Sequence, residues 1–305
     1  MSFGDNNTNF HDWTLGFEDS EKVMKHAFDL GINFFDTANC YSAGTSEEYV
    51  GKAIRNNFKR DDIFLATKVF FTADPAEKGG LSKEVINREI DGSLKRLGTD
   101  YIDLYIIHRF DYNTPVEETM EALDGLVKAG KVRNLGASAM YAYQFHNMLI
   151  AAEQNGWTKF VTMQNHYNLL YREDEREMIP VCRQYNVSLT PYSPLAAGRL
   201  SRLAWHTDTK RSMTDKTAEK KYDANEETDI NIVKRVGEIA EKHSATMTQI
   251  ALAWHFAKGV TAPIVGVSKL KYLDDAVGSL DISLSQNEIE YLEEAYVPHK
   301  IVGAL

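Results

Sequence analysis

Residues 32–41 read INFFDTANCY, and this stretch decides the predicted fold. An apolar, β-favouring run ends abruptly at Asp36, and Tyr41 follows five residues later. Because helical patterns flank the run on both sides, it is typical of a buried strand in a parallel sheet. Reacting groups in such folds lie where strands end and loops begin. Taken alone, a carboxylate at a strand end is more often a helix cap or a loop hydrogen-bonder.

Two later apolar runs end in the same way. Residues 64–67 lead into a lysine, and residues 102–107 lead into a histidine. The carboxyl ends of neighbouring parallel strands meet at one edge of a sheet, so the polar residues at these ends are expected to cluster. The cluster predicted at this edge consists of Asp36, Tyr41, Lys68 and His108. Each of them alone has an ordinary alternative as a solvated or loop-capping side chain.

Strand and helix patterns alternate along most of the chain. The predicted strands are 32–36, 62–67, 102–107, 132–137, 160–164, 187–191 and 261–266. The predicted helices are 19–30, 46–55, 83–97, 115–129, 142–155, 175–185, 226–242, 246–257 and 285–296. This alternation predicts a parallel sheet in an α/β fold, and the absence of a linker predicts a single domain, residues 1–305. Residues 201–224 are polar and irregular, which predicts a lid or a disordered loop.

The composition, 43% apolar and 26% charged, is typical of a globular protein. No apolar run approaches the ~20 residues that a membrane helix needs, and no secretory signal is visible, so we expect a cytoplasmic protein without a membrane partner. The net charge of −10 argues against a nucleic-acid partner. Cys40 and Cys182 provide no disulfide framework and are expected to be structural. We assign no metal site and expect a monomer or a weak homo-oligomer.

The motifs at the strand ends resemble those of the aldo-keto reductase family. The resemblance extends over nearly the whole chain and is carried by residues 33–41, 47–51, 66–68 and 103–109. A bacterial branch that includes the YajO reductase is similar at residues 112–115, 166–169 and 298–299. The resemblance implies a (β/α)8 TIM barrel of the aldo-keto reductase type. It also implies that a small-molecule aldehyde or ketone, whether aryl, aliphatic or sugar-derived, is reduced to an alcohol with NADPH.

The resemblance assigns roles to the four clustered residues. Tyr41 would give a proton to the developing alkoxide, and Lys68 would assist because a nearby ammonium lowers the pKa of a phenol. Asp36 would hold Lys68 charged, and His108 would hydrogen-bond the substrate oxygen. Asp111, three residues after His108, is expected either to position its loop or to be a solvated carboxylate.

The resemblance places the cofactor at the later strand ends. Ser138 and Gln164 would contact the nicotinamide carboxamide, although Ala139 stands where an asparagine is usual. Tyr192 would stack on the nicotinamide ring and fix which face delivers hydride. The loop that follows would bind the pyrophosphate, through Ser193, Pro194, Leu195, Gly198 and Arg199.

Residues 266–275 resemble the family's site for the adenosine 2′-phosphate. Ser268 and Lys269 supply a hydroxyl and a cation before a helix, which suits a phosphate. Tyr272 stands where the family often has a polar or basic residue. The resemblance implies NADPH rather than NADH, on the strength of Ser268 and Lys269. The remaining predicted contacts of this site are Gly266 and Asp275.

The predicted strands number seven, although a barrel of this type has eight. Residues 1–4 resemble only the end of the family's first strand, so we expect that strand and the preceding hairpin to be absent. Two neighbouring strands would then present open edges. Two other functions stay open: a cofactor-binding regulatory protein resembling potassium-channel β subunits, and an inactive truncated fragment.

Overall fold

Parallel strands alternate with helices through the first half of the computed structural model, which describes residues 2–8 and 11–302. The chain forms two compact units. The first extends to Met163 and includes Tyr185–Val187, and the second consists of Gln164–Gln184 and the chain from Ser188 onward. The α/β class predicted from the sequence is confirmed. The single domain of residues 1–305 stays a prediction.

The first unit contains five strands in sequential order across one sheet. They are β1 (Phe34–Asp36), β2 (Phe64–Val69), β3 (Ile102–Ile107), β4 (Val132–Ser138) and β5 (Phe160–Gln164), the last residue of which belongs to the second unit. Its helices are α1 (Phe17–Asp29), α2 (Thr45–Asn57), α3 (Lys83–Leu97), α4 (Val116–Lys128) and α5 (Ala142–Asn155). The pairs from β1 to β4 are parallel, so their carboxyl ends meet at one edge.

Strand β3 is buried along its whole length, as a strand of a covered parallel sheet should be. Leu104 and Ile106 pack with Ala66 of β2 in the core. The exception in the apolar pattern is Asp103, which is buried but paired with Arg60 over 2.6 Å and with Arg133 over 3.0 Å. Two guanidinium partners compensate the burial of this carboxylate, so β3 keeps its central place.

The second unit is mainly helical. Its elements are α6 (Met178–Gln184), β6 (Ser188–Leu189), α7 (Lys210–Thr214), α8 (Lys216–Tyr222), α9 (Glu226–Lys242), α10 (Met247–Ala257), α11 (Lys271–Gly278) and α12 (Gln286–Glu293). Among the described residues of both units, no helix is at once long enough and apolar enough to cross a membrane.

The predicted strand at 261–266 is wrong. Only Ile264 forms a parallel bridge there, to Tyr192, and its N–H donates to the carbonyl of Pro191 over 2.9 Å. Pro191 and Pro263 have no N–H, so a continuous ladder cannot form on either side of this bridge. The part of the chain that the structure describes therefore has six strands rather than the seven predicted.

The segment 201–224 is not irregular, which corrects the prediction. It contains α7 and α8, and each begins at a capping side chain. Thr209 Oγ1 accepts from the N–H of Ser212 over 3.3 Å, and Asp215 Oδ1 accepts from the N–H of Ala218 over 3.0 Å. Threonine and aspartate are strong N-caps, so these short helices could have been predicted from the cap residues.

The N-terminal segment lies against the loop that carries Tyr41. Gly4 donates its N–H to the carbonyl of Leu15 over 3.2 Å, and Phe3 forms a single bridge with Leu15. Gly4 has a φ of +142°, and a Cβ at this position would lie 2.3 Å from Ser42 Oγ. Only glycine permits this approach. Met1, which belongs to the predicted remnant of the first strand, lies outside the described residues.

Candidate active site

Asp36 and Lys68 form a buried ion pair at the carboxyl ends of β1 and β2. Lys68 Nζ contacts Asp36 Oδ1 and also donates to the carbonyl of Thr37 over 2.7 Å. The Lys68 side chain is fully buried and that of Asp36 is 8% exposed. A buried ammonium needs both an opposite charge and further hydrogen bonds, and here it has both. The lysine is therefore held in one place, which excludes the solvated alternative.

Tyr41 begins a short 3₁₀ turn, Tyr41–Gly44, five residues after the end of β1. Ser42 and Ala43 have φ values of 47° and 51°, in the left-handed region that costs energy for residues with a Cβ. The tight turn brings the Tyr41 ring centroid 5.0 Å from Lys68 Nζ. The strained backbone thus fixes the phenol beside the buried cation.

His108 follows β3 and completes the cluster. Its ring meets the Tyr41 ring edge-on, with 5.8 Å between centroids. The backbone N–H of His108 donates to the carbonyl of Val69 over 2.8 Å. Burial, and then the charges of Lys68 and Arg109, lower the pKa of His108 well below its usual value. A neutral imidazole at pH 7 keeps one donor and one acceptor nitrogen. Its Nδ1 is buried and finds no hydrogen-bond partner among the described residues.

The structure thus brings the four predicted residues together within the first unit. Strand ends hold Asp36 and Lys68, a strained turn holds Tyr41, and the residue after β3 is His108. The arrangement combines a phenol, an ammonium and a neutral imidazole. Such a set can deliver a proton and stabilise negative charge on an oxygen.

Phe71 is a member of this cluster that sequence reasoning missed. Its ring lies edge-on to His108 with 5.4 Å between centroids, and it is 40% exposed. Arg109 lies over the same ring at 5.8 Å, and Phe70 packs edge-on at 5.1 Å. The signal was present, because Phe71 stands three residues after Lys68 where β2 has just ended. The rule that identified the polar residues at strand ends applies equally to aromatic ones.

Asp111 positions its loop, which decides between its two predicted roles. Its carboxylate is buried and accepts from the N–H of Leu81 over 2.7 Å, from the N–H of Asn113 over 2.9 Å and from Thr114 Oγ1 over 2.7 Å. Burial acts to raise the pKa of Asp111, but these hydrogen bonds outweigh it and hold the pKa below its usual value. The loops after β2 and β3 are therefore joined by one carboxylate.

Glu47 supports the cluster from α2. This fully buried carboxylate accepts from Thr67 Oγ1 over 2.5 Å and from Arg96 Nε over 2.7 Å. Thr67 directly precedes Lys68, so Glu47 fixes β2 where the lysine projects. In the sequence Glu47 stood out only as part of the family motif. The structure gives it a role, as the buried acceptor for Thr67 and Arg96.

The two cysteines carry unreactive thiols. Burial raises the pKa of Cys40 to about 11 and that of Cys182 to about 12. Since the thiolate is the reactive form, both remain protonated at neutral pH. Their structural assignment agrees with this chemistry, although Cys40 directly precedes Tyr41.

In the second unit, Tyr192 belongs to a stack of three rings. His166 lies parallel to Tyr192 at 5.2 Å and an angle of 7°, and Tyr171 lies on His166 at 4.2 Å. Lys221 Nζ lies over the Tyr192 ring, 4.4 Å from its centroid. Burial, followed by the charge of Lys221, lowers the pKa of His166 well below its usual value. Tyr192 is thus a half-buried ring with a fixed orientation.

The loop after Tyr192 is strained and firmly held. Positive φ values occur at Ser193, Ala196, Ala197 and Gly198. Asn168 Nδ2 donates to the carbonyl of Ser193 over 2.9 Å, and His255 Nε2 lies 3.2 Å from the carbonyl of Pro194. The carbonyl of Leu195 accepts from the N–H of Gly198 over 2.8 Å. Such strain persists only where the surroundings enforce it, and it is common in ligand-binding loops.

Arg199 is engaged within its own unit. It is buried, pairs with Asp223, and lies 5.2 Å from the rings of both Trp205 and Tyr222. It therefore anchors the segment 201–224. Beside it lies a cavity of about 230 Å³, lined among others by Arg199, Arg202, Arg211, Ser212, Asp215 and Asp223.

Arg202, which the prediction of cofactor contacts omitted, has a buried Nε without a hydrogen-bond partner in the described part of the chain. Burial and the charge of Arg199 lower the pKa of the Arg202 guanidinium. An incompletely satisfied cation at this place suits an anionic group. Gly198 has a φ of +94°, a backbone conformation that favours glycine, and its Cα side lies next to the Arg202 guanidinium.

The remaining predicted contacts lie at strand ends, before α11 or within it. Ser138 is the buried last residue of β4 in the first unit, and Gln164 is the buried last residue of β5. In the second unit, Gly266, Ser268 and Lys269 are exposed. Tyr272 lies in the first turn of α11 and Asp275 in its second half, where it is half-buried.

Comparison with known proteins gives one family throughout. Residues 1–297 match the model of the aldo/keto reductase family. An aldo-keto reductase of Fusarium vanettenii is 44% identical over 97% of this chain and 86% of its own length. A putative aryl-alcohol dehydrogenase of Schizosaccharomyces pombe is 44% identical over 100% of this chain and 93% of its own length. The versiconal hemiacetal acetate reductase of Aspergillus parasiticus is 42% identical over 95% of this chain and 90% of its own length.

These relatives are fungal, so they do not support the bacterial branch expected from residues 112–115, 166–169 and 298–299. They do not support the expected loss of the first strand either. Two histidines of the motifs that suggested the bacterial branch make buried structural contacts in this chain. His166 belongs to the ring stack, and His299 Nε2 forms a buried contact of 3.0 Å with Asp229.

Proposed function

Because the chain belongs to the aldo-keto reductase family of carbonyl oxidoreductases, we propose that it reduces an aldehyde or ketone to an alcohol with NADPH, Tyr41 being the proton donor. Membership confirms the predicted fold class and a small-molecule carbonyl compound as the kind of substrate. Members generally use NAD(P)H. The choice of NADPH and the residue roles are our proposal.

One observation carries the assignment of the proton donor. Lys68 Nζ lies 5.0 Å from the Tyr41 ring centroid, and the Asp36 carboxylate and the Thr37 carbonyl hold it there. As Tyr41 releases its proton, the fixed ammonium stabilises the phenolate that forms. A solvated lysine would have to be ordered for this at each turnover, and the ion pair removes that cost.

His108 supports the same step as a neutral hydrogen-bonding group. Its low pKa keeps the imidazole uncharged at neutral pH, and its ring lies in an edge-to-face arrangement with the Tyr41 ring. A neutral imidazole can donate to a substrate oxygen without transferring its own proton. We assign it the orientation of the carbonyl, with Tyr41 as the general acid.

Residues of the second unit fit an anionic dinucleotide. Tyr192 offers a half-buried aromatic ring, and Arg202 offers a buried Nε that has no hydrogen-bond partner among residues 2–8 and 11–302. Ser268 and Lys269 offer an exposed hydroxyl and cation before α11. We assign the nicotinamide to Tyr192 and the 2′-phosphate to Ser268 and Lys269. When bound, the reduced nicotinamide supplies the hydride that forms the new C–H bond. The protein residues supply the proton and the orientation.

Aromatic aldehydes are the substrate class that we favour. Phe71, 40% exposed, lies edge-on to His108, and Phe110 and Tyr112 follow on the next loop with 5.1 Å between their centroids. Aromatic rings prefer such edge-on or offset partners. The name of the S. pombe relative also points to aryl alcohols. Replacement of Phe71 by leucine should raise the KM for benzaldehyde more than that for butyraldehyde.

The variant Tyr41→Phe tests the proposal. It should lose roughly 10²–10⁴-fold in turnover of benzaldehyde, the usual contribution of a general acid, while calorimetry shows unchanged NADPH binding. Tyr49→Phe, on α2 outside the cluster, is the matched control and should keep its activity. Retained activity in Tyr41→Phe would refute the assigned donor. NADPH binding by the unaltered chain without any turnover would instead favour the regulatory alternative.

A further inference from the structure

Lys221 lies beside the ring to which we assign the nicotinamide. Its Nζ is 4.4 Å from the centroid of the Tyr192 ring and 3.4 Å from the Tyr192 hydroxyl. The lysine stands 29 residues after Tyr192, in the last turn of α8. Its position over the ring therefore follows from how α8 packs.

The end of α8 is anchored at the ring stack. Tyr222, the residue after Lys221, is buried, and its hydroxyl lies 2.7 Å from His166 Nε2 and 3.1 Å from Asn168 Nδ2. His166 in turn stacks on Tyr192. Since Tyr222 cannot leave without breaking two buried hydrogen bonds, the backbone of Lys221 stays next to the Tyr192 ring.

Lys221 places a positive charge against the Tyr192 ring. His166 lies against the same ring, but its low pKa keeps the imidazole neutral at pH 7. After burial, the charge of Lys221 is the next cause that lowers this pKa. A ligand that stacks on Tyr192 would therefore lie close to the Lys221 ammonium.

Resting on the function proposed above, we propose that Lys221 distinguishes the two redox states of the dinucleotide, so that the oxidised form leaves more readily than the reduced form. The oxidised nicotinamide ring carries a positive charge and the reduced ring is neutral. Coulomb repulsion from Lys221 therefore acts on the oxidised ring alone. The phosphates are the same in both forms, so their attraction to Lys221 cancels in the ratio of the two dissociation constants.

Calorimetric titration with NADPH and NADP⁺ tests this inference without any turnover. Lys221→Met should tighten NADP⁺ relative to NADPH, changing the ratio of dissociation constants by roughly three- to tenfold, as expected for two unit charges several ångströms apart at a partly exposed site. Lys220→Met removes an exposed charge from the same helix turn and should leave the ratio unchanged. Lys221→Arg keeps the charge and should keep the ratio of the unaltered chain.

The possible failures can be told apart. If both dinucleotides bind and Lys221→Met leaves their ratio unchanged, or Lys220→Met changes it equally, the role of Lys221 is refuted and the proposed function stands. If the unaltered chain binds neither dinucleotide, the proposed function fails and this inference fails with it. A ratio altered in Lys221→Arg as much as in Lys221→Met would show that shape, rather than charge, is responsible, and would also refute it.

Discussion

Lys68 and Asp36 face each other across β1 and β2 with side chains that are 0% and 8% exposed. Neither charge could be buried there alone, because removing an ion from water costs several kcal/mol unless a partner compensates it. The pair thus explains how an ammonium comes to lie next to the Tyr41 ring. Variants of this pair can therefore distinguish its effect on the free energy of unfolding from its effect on catalysis.

Asp36→Asn should destabilise the protein by about 3–5 kcal/mol, because it leaves the Lys68 ammonium buried without its opposite charge. The double variant Asp36→Asn with Lys68→Met should be more stable than Asp36→Asn, since it buries no unpaired charge. Both variants should lack activity. Urea unfolding of the three proteins measures this, and a double variant less stable than the single one would contradict the ion-pair argument.

Asp111→Ala should impair catalysis through position rather than chemistry. The loops after β2 and β3 lose their shared carboxylate, and the N–H groups of Leu81 and Asn113 lose their acceptor. We expect a loss of about 1–3 kcal/mol in the free energy of unfolding and a raised KM for the carbonyl substrate. Asp100→Ala, at an exposed loop position, is the control. An unchanged KM would show that the loop clamp does not shape the substrate site.

Asp174 should make stability depend on pH in the mildly acidic range. Burial raises its pKa to about 6, although the Asn165 amide, which donates to it over 2.9 Å, opposes this. In the unfolded chain an aspartate has a pKa near 4, so between these values only the folded state holds the proton. Stability therefore falls as the pH rises through this window.

Asp174→Asn removes this dependence and keeps an oxygen acceptor for Asn165. Denaturant unfolding should show the variant more stable than the unaltered chain at pH 7.5, by roughly 1–3 kcal/mol, and equal to it at pH 4.5. The same difference at both pH values would mean that Asp174 does not hold a proton in the folded state.

Lys269→Ala should weaken NADPH more than NADH, because only NADPH carries the 2′-phosphate. A charge-assisted hydrogen bond contributes about 1.5–3 kcal/mol, which corresponds to roughly 10- to 150-fold in affinity. Lys271→Ala, two residues later at the start of α11, is the matched control for loss of an exposed charge. Equal weakening of both dinucleotides would show that Lys269 does not contact the phosphate.

Local pattern was sufficient for much of the fold and for the central cluster. The bounds of β3, β5, α3, α5 and α9 agree with the periodicity of apolar residues and with their flanking breakers. Asp36, Lys68 and His108 could be predicted to meet because parallel strands bring their carboxyl ends to one edge. These properties depend on residues close in sequence and on a general rule of sheet geometry, so the sequence by itself determined them.

Tertiary structure decided the partners of the individual side chains. Glu47 is buried because Thr67 and Arg96 hydrogen-bond to it, and Lys221 lies over Tyr192 because Tyr222 docks against His166. Burial and charge compensation depend on groups that are distant in sequence, and no local periodicity encodes them. The sequence therefore determined which strand ends carry the chemistry, while packing decided which charges face the rings.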